Sequence, residues 1–347
     1  MKRPQIISFL AVKTPNFINI KIYISLVNKK QEIAFPLQNA HLLSTSCEFR
    51  IKIIGLNSLR EKVYENTFLS DSFGKLNIKI FLNETTENIS ALQIYEMDYQ
   101  PGIELILGTF LPKDISLTGK IVISDFDKTL IETKSRTLTD IYNSLTLSLD
   151  SYPLVDNGIS LLKDYINKGF HPFLVSASPH FFEDSIRNWL YQNQIYSAGI
   201  FLKDYRHFFN MIKGHLAPKD ISTQGVYKLD HLFDITLMTD LPQEIILIGD
   251  NAESDPFIYL LYKKIINKEI DPWSVWNKFK NHNIFKMTSR QHSYFLSKIY
   301  QIQDLISNHH NPVEIKIHIR EIHDRNLQLS IYQSLDLDHN QIFFFSS

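Results

Sequence analysis

The stretch Ile121-Val122-Ile123-Ser124-Asp125-Phe126-Asp127-Lys128-Thr129 decides how this chain is read. Ile121 to Ile123 is a continuous β-branched run, the pattern of a strand covered on both faces. Two carboxylates follow at its carboxyl end. Burying carboxylates beside such a strand is costly unless something positive compensates them. A divalent cation, with phosphate chemistry around it, is the economical explanation. An Asp-rich strand-to-loop turn would carry the same letters, because Asp is common in turns. The short pattern Asp-x-Asp-x-Thr by itself leaves the two readings balanced.

Three later segments favour the first reading. Phe173-Leu174-Val175-Ser176-Ala177-Ser178-Pro179 is an apolar run that ends in hydroxyls. Lys228 opens an expected helix over Val226 to Leu237. Ile245-Ile246-Leu247-Ile248 runs into Gly249-Asp250 and continues through Asn251-Ala252-Glu253-Ser254-Asp255. In open parallel sheets, ligands bind outside the carboxyl ends of the strands. Strands ending in Asp125, Ser176 and Asp250 therefore converge on one crevice. Leu154 to Lys168, ended by Gly169, and Phe181 to Gln192 read as helices; Ile200 to Leu202 and Glu314 to Ile319 read as further strands. The expected class is α/β, with a doubly wound, mainly parallel sheet.

The order of these elements resembles the haloacid dehalogenase superfamily of phosphotransferases. That family arranges an Asp-x-Asp-x-Thr motif, then a Ser or Thr, then a Lys, then a Gly-Asp with a second acid shortly after. The chain is also similar to actin-patch-type phosphatidate phosphatases around Ser176 to Pro179, across Gly249 to Pro256 with Ile258-Tyr259, and at Ile317-His318-Ile319-Arg320. Lys128 stands where that branch usually has an acid, and His180 where it has an aromatic.

Phosphoryl transfer needs an in-line nucleophile, neutralisation of the phosphoryl oxygens and a proton for the leaving group. Asp125 is the expected nucleophile, forming an aspartyl-phosphate. Asp127, two residues along an extended chain and so on the same side, is the expected general acid and base. An Asp at this second position points to a phosphatase within the superfamily. Asp125, Asp127, Asp250 and Asp255 are the expected metal residues, offering the hard oxygens that suit Mg²⁺. The resemblance implies the backbone carbonyl of Asp127 for this role, and places Asp255 either at the metal through water or against the lysine. Ser176, Lys228 and Thr129 are the expected phosphate-side residues. Lys213 and Lys219 are rivals for the role of Lys228, and Ser176 also reads as a capping hydroxyl for the helix after Pro179.

At 347 residues the chain has room for two domains. Up to about residue 116 it lacks long helical periodicity. Ile18 to Ile24, Glu48 to Ile54 and Leu76 to Leu82 alternate, Ile103 to Phe110 offers another strand, and Ser70 to Gly74 is a turn. The expected organisation is a small antiparallel β-sandwich over 1–116 and the phosphatase domain over 117–347. Lys2-Arg3 followed by Ile6 to Val12 has the look of a very short signal core, but no small-residue cleavage site follows, so a first strand is expected. No segment has the apolar length of a membrane span. The single Cys47 excludes an internal disulfide framework and fits a reducing, cytoplasmic setting. The net charge of −1 gives no general attraction to nucleic acid or membrane, and no nucleic-acid partner is expected.

An insertion at about 263–312 interrupts the resemblance. Lys263 to Tyr300 holds eight Lys or Arg and two acids, a local charge of +6, together with Trp273, Trp276, Phe279, Phe285, Tyr294 and Phe295. Cations among aromatics suit a peripheral contact with an anionic membrane. A helical subdomain with an aromatic core and a solvated basic face is the reading placed ahead of it. Thr129 to Pro153 and Asp204 to Gln224 leave room for a flap and a loop but for no large cap. An uncapped site admits bulky substrates. The expected activity is phosphomonoester hydrolysis, with phosphatidate yielding diacylglycerol as one substrate. A phosphoprotein or soluble phosphomonoester is the alternative substrate, and a catalytically silent interaction protein is the alternative class.

Overall fold

The structure is a computed structural model that describes residues 2–28, 47–116, 118–133, 149–179, 182–203, 225–252, 254–280, 289–309, 312–323 and 341–346. The chain separates into two units, Met1–Leu117 and Thr118–Ser347.

Alternation builds the first unit. In β2 (Phe17–Asn28), Ile18, Ile20, Ile22 and Ile24 are buried on one face, as the two-residue period of a strand requires. β2 pairs antiparallel with β1 (Lys2–Lys13) and with β5 (Lys75–Phe81), and β1 pairs parallel with the two-residue β8 (Lys113–Asp114). A second sheet, in the order β4-β3-β6-β7, joins β3 (Arg50–Leu56), β4 (Lys62–Leu69), β6 (Ala91–Gln100) and β7 (Ile103–Phe110), all antiparallel. Ile18, Ile20, Ile51, Ile53, Leu92 and Ile94 from the two sheets share one apolar core.

The differences from expectation have local causes. The apolar alternation breaks at Ser25, yet β2 continues to Asn28, because the ladder with β1 carries through the pairing of Gln5 with Ser25. β4 shows no apolar alternation because it is largely exposed. β6 was hidden because its inward face includes Glu96, whose carboxylate accepts the backbone N–H groups of Asp98 and Tyr99 at 3.1 and 2.7 Å.

The second unit is built on a six-stranded sheet in the order β11-β10-β9-β12-β13-β14, with every neighbouring pair parallel. Its strands are β9 (Lys120–Asp125), β10 (His171–Pro179), β11 (Gly199–Lys203), β12 (Glu244–Asp250), β13 (Glu314–Arg320) and β14 (Ile342–Phe345). The chain steps outward from β9 to β10 and β11, then returns to β12 on the other side of β9. The strand order therefore reverses between β9 and β12, the point at which open α/β sheets form their ligand crevice. Ser124 is in register with Ile248, so Asp125 and Asp250 emerge side by side at the carboxyl ends. The described helices are α1 (Asp156–Asn167), α2 (Glu183–Gln192), α3 (Gly225–Thr239), α4 (Asp255–Ile266), α5 (Pro272–Phe279) and α6 (Ser289–Ser307). α1 starts later than its periodicity predicts because Leu154 forms a bridge with Ile131. β14 was not foreseen.

The insertion is helical. Trp276 of α5 and Phe295 of α6 are buried against each other, with ring centroids 4.8 Å apart, and Phe295 stacks on Phe233 of α3 at 5.9 Å. Lys298 of α6 turns inward, not to the solvated face: its ammonium meets Asp230 and Asp234 of α3 at 2.5 and 3.0 Å. Burial alone would lower its pKa, but the two carboxylates outweigh burial and raise it above the ordinary lysine range. Trp273, Tyr294 and Tyr300 are exposed. Among the described residues no helix is long and apolar enough to cross a membrane. The expected flap, the Asp204 to Gln224 loop, Lys213, Lys219, His180 and Phe285 lie outside the described residues.

Two predictions follow from this packing. Lys298→Met leaves two carboxylates without their buried cation and is expected to destabilise the chain by about 3–5 kcal/mol, read from the urea midpoint. His318 of β13 lies 2.8 Å from the Tyr165 hydroxyl and stacks on Phe343, and burial, helped by Lys316 and Lys168, pushes its pKa down from 6.5 to about 4. The folded chain thus holds a neutral imidazole, while the unfolded chain takes up a proton at higher pH. Stability present above pH 6.5 is lost as the pH falls from 6.5 toward 4. After allowance for screening at this half-buried site, the expected loss is about 1–2 kcal/mol, and His318→Gln should remove that share of the pH dependence.

Candidate active site

Each acid of the site is delivered by a different local device. Asp125 is the last residue of β9, and its 2% exposure shows that it does not swing into solvent. Asp250 ends β12 and is fully buried; its Oδ1 accepts the Ala252 backbone N–H at 2.7 Å, which turns the chain out of the strand. Asp255 stands in the first turn of α4, followed by Pro256, where a negative charge is favoured by the helix dipole and a proline costs no hydrogen bond. Carboxylate oxygens of Asp125, Asp250 and Asp255 all lie within 4.8 Å of one another.

Lys228 enters this cluster from the first turn of α3. Its buried ammonium lies 3.1 Å from Asp125 Oδ2 and also contacts Asp255 Oδ1. The formal charges of three carboxylates and one ammonium sum to −2 in this buried site. Such a group of hard oxygens fits a divalent cation of the Mg²⁺ type. The donor set and its burial are thus consistent with a metal held by Asp125, Asp250 and Asp255.

Asp127 faces another way. Its Oδ2 accepts from Ser176 Oγ at 2.9 Å and from Ser178 Oγ at 3.4 Å, and its carboxylate is not one of the three clustered acids. Ser176 Oγ in turn accepts the Ser178 backbone N–H at 2.9 Å. α2 starts only at Glu183 and has no side-chain cap, so Ser176 belongs to the crevice and does not cap that helix. Thr129 is buried in the same loop, and its Oγ1 makes no hydrogen bond among the described residues. The structure therefore gathers Asp125, Asp250, Asp255 and Lys228 in one contact group, and Asp127 with Ser176 beside them through the β9 and β10 strand ends.

Sequence reasoning gave no role to several residues that shape this site. Ser178 is a second hydroxyl on Asp127. Gly249 is required by close approach: a Cβ there would overlap Asp255 Oδ2 and lie 2.8 Å from Tyr259 Cε2. The Tyr259 hydroxyl donates to Ile248 O at 3.2 Å, and burial together with the Asp255 charge holds its pKa well above the ordinary range, so it stays a neutral donor. Gly158 of α1 packs so tightly on the Thr129 carbonyl that any side chain would overlap it. Gly249-Asp250 was visible as a motif, but the crowding that demands glycine arises only after α4 folds back on β12.

The family model described as phosphatidate phosphatase APP1, catalytic domain, matches residues 120–271. That span contains every site residue named above and stops where α5 begins. No curated protein matches the chain. Among solved structures it is similar to a chain of the Pnkp1/Rnl/Hen1 complex, at 18% identity over 43% of this chain and 47% of that one, with a TM-score of 0.27. It is also similar to a DUF3823 family protein from Parabacteroides merdae, at 12% identity over 32% and 52% of the two chains, with a TM-score of 0.21. A third is Bifidobacterium dentium beta-glucuronidase, at 8% identity over 96% and 58%, with a TM-score of 0.28. The chain spans about half the length of these structures, and overlaps this loose carry no argument about activity. The family match supports a phosphatidate phosphatase-like catalytic domain over residues 120–271, within the second unit.

Proposed function

We propose that this chain is a Mg²⁺-dependent phosphomonoesterase on a haloacid dehalogenase-like scaffold, hydrolysing phosphatidate to diacylglycerol through an aspartyl-phosphate on Asp125. The observation that carries this reading is the buried group of Asp125, Asp250, Asp255 and Lys228 at the point where the strand order reverses. Asp125 Oδ attacks phosphorus, and the bond to the alcohol oxygen of the lipid breaks. Lys228, 3.1 Å from Asp125 Oδ2, holds the attacking carboxylate in place. Asp127, oriented by the hydroxyls of Ser176 and Ser178, gives its proton to the departing alkoxide and then takes one from the water that cleaves the aspartyl-phosphate. Ser176, Thr129 and Lys228 supply the donors for the phosphoryl oxygens. Asp125, Asp250 and Asp255, with the Asp127 carbonyl, would hold Mg²⁺, which would supply Lewis acidity and relieve the repulsion between carboxylate and phosphate.

The lipid substrate is supported by the family match alone. It brings with it a peripheral encounter with a membrane surface, from the cytoplasmic side. Phosphatidate in mixed micelles should be turned over with a higher kcat/KM than soluble phosphomonoesters; a preference for the soluble esters would overturn the substrate and leave the chemistry standing. Chelation of Mg²⁺ should abolish turnover. Asp125→Asn is expected to lose at least about a thousandfold in kcat, and Asp127→Asn about 10²–10⁴-fold, with the thermal midpoint of each measured in parallel. Wild-type turnover in Asp125→Asn would refute the nucleophile.

A further inference from the structure

Arg320 ends β13, two strands away from β9, yet its guanidinium reaches the loop that carries Asp127. Crossing β12 means spanning about 10 Å between strand axes, a reach that few side chains other than arginine possess. The side chain is buried, and its Nη1 donates to the Lys128 carbonyl at 2.6 Å and to Glu132 Oε2 at 2.5 Å. Lys128 itself holds φ at 59°, the left-handed region that a residue with a Cβ enters only at a cost. Its backbone N–H is taken by Ile131 O at 2.7 Å, and Leu130 N–H by Phe126 O at 2.9 Å, so the loop is closed on the other side as well. Residue 128 is therefore a strained hinge between Asp127 and Thr129, and its carbonyl is the group that Arg320 grips.

We infer that Arg320 is a positioning residue: it holds the left-handed conformation at Lys128 and thereby aims Asp127 at the reacting phosphate. This rests on the reading of Asp127 as the acid and base. Arg320 touches neither substrate nor metal in this account; it acts through the backbone of the loop. Glycine enters the left-handed region at no steric cost, so Lys128→Gly should make the grip of Arg320 partly dispensable. That expectation separates loop positioning from general structural support and from contact with substrate.

The test is a double-mutant cycle in the full chain: wild type, Arg320→Met, Lys128→Gly and the pair. Each is assayed for Mg²⁺-supported hydrolysis of an aryl phosphate, with hydrogen exchange of the amides of residues 126–133 measured in parallel. Arg320→Met should lower kcat by about tenfold or more while KM moves by less than about threefold. Its loop amides should exchange about tenfold faster. Adding Lys128→Gly should recover at least about fivefold of the lost kcat, a coupling that independent sites would not show. Wild-type kcat and loop protection in Arg320→Met would overturn the inference, as would a double variant no better than Arg320→Met. Should Arg320→Met not fold, Arg320→Lys, which keeps the buried charge but loses the planar fork, carries the same cycle with the same deciding outcomes. A wild-type chain without turnover of either the aryl phosphate or phosphatidate in mixed micelles would remove the phosphatase reading, and the exchange cycle would still decide whether Arg320 holds the loop.

Discussion

Three carboxylates and a lysine buried together form the constraint on which the second unit depends. Each charge alone would be too costly to bury; together, and with a hard cation, they are a workable set. The arrangement can exist only where several chain segments end at one place. A parallel sheet whose strand order reverses provides such a place. β9 and β12 supply Asp125 and Asp250 at their neighbouring carboxyl ends, α4 supplies Asp255 at its favourable dipole end, and α3 supplies Lys228. Lys228 sits in the first turn of its helix, where the dipole disfavours a cation. The carboxylates around it overcome that preference.

Close packing converts this electrostatic requirement into a fixed geometry. Gly249 lets α4 bring Asp255 against β12, and Gly158 lets α1 press on the Thr129 carbonyl. α3 is also held by the insertion: Phe295 stacks on Phe233, and Lys298 bridges Asp230 and Asp234, two and six residues beyond Lys228. The basic, aromatic character of the insertion is thus spent partly inward. Trp276, Phe295 and Lys298 belong to an interior that steadies a site helix, while Trp273, Tyr294 and Tyr300 remain at the surface.

The first unit is a simpler object. Its isoleucine-rich faces alternate because the strands bury one side against the other sheet. Its departures from regular alternation, Ser25 in β2 and Glu96 in β6, are polar groups whose backbone pairing or local hydrogen bonds make burial tolerable.

What the sequence determined by itself is the class of each half and the placing of Asp125 and Asp250 at strand ends. Continuous branched runs at Ile121–Ile123 and Ile245–Ile248 read as buried parallel strands, and the acids after them read as a site only together with Ser176 and Lys228. The amphipathic stretches around α1 and α2 were visible for the same reason: their period is a local property. The contacts that finish the site are not local. Arg320 meets the Lys128 carbonyl across 192 residues of chain, and Ser178 meets Asp127 across 51. A lysine such as Lys298 carries the same letters whether it faces water or two buried carboxylates. Which cation turns inward, which glycine is crowded and which hydroxyl reaches an acid are settled only when the sheet closes and the helices pack, because burial belongs to the assembled fold and not to any stretch of chain.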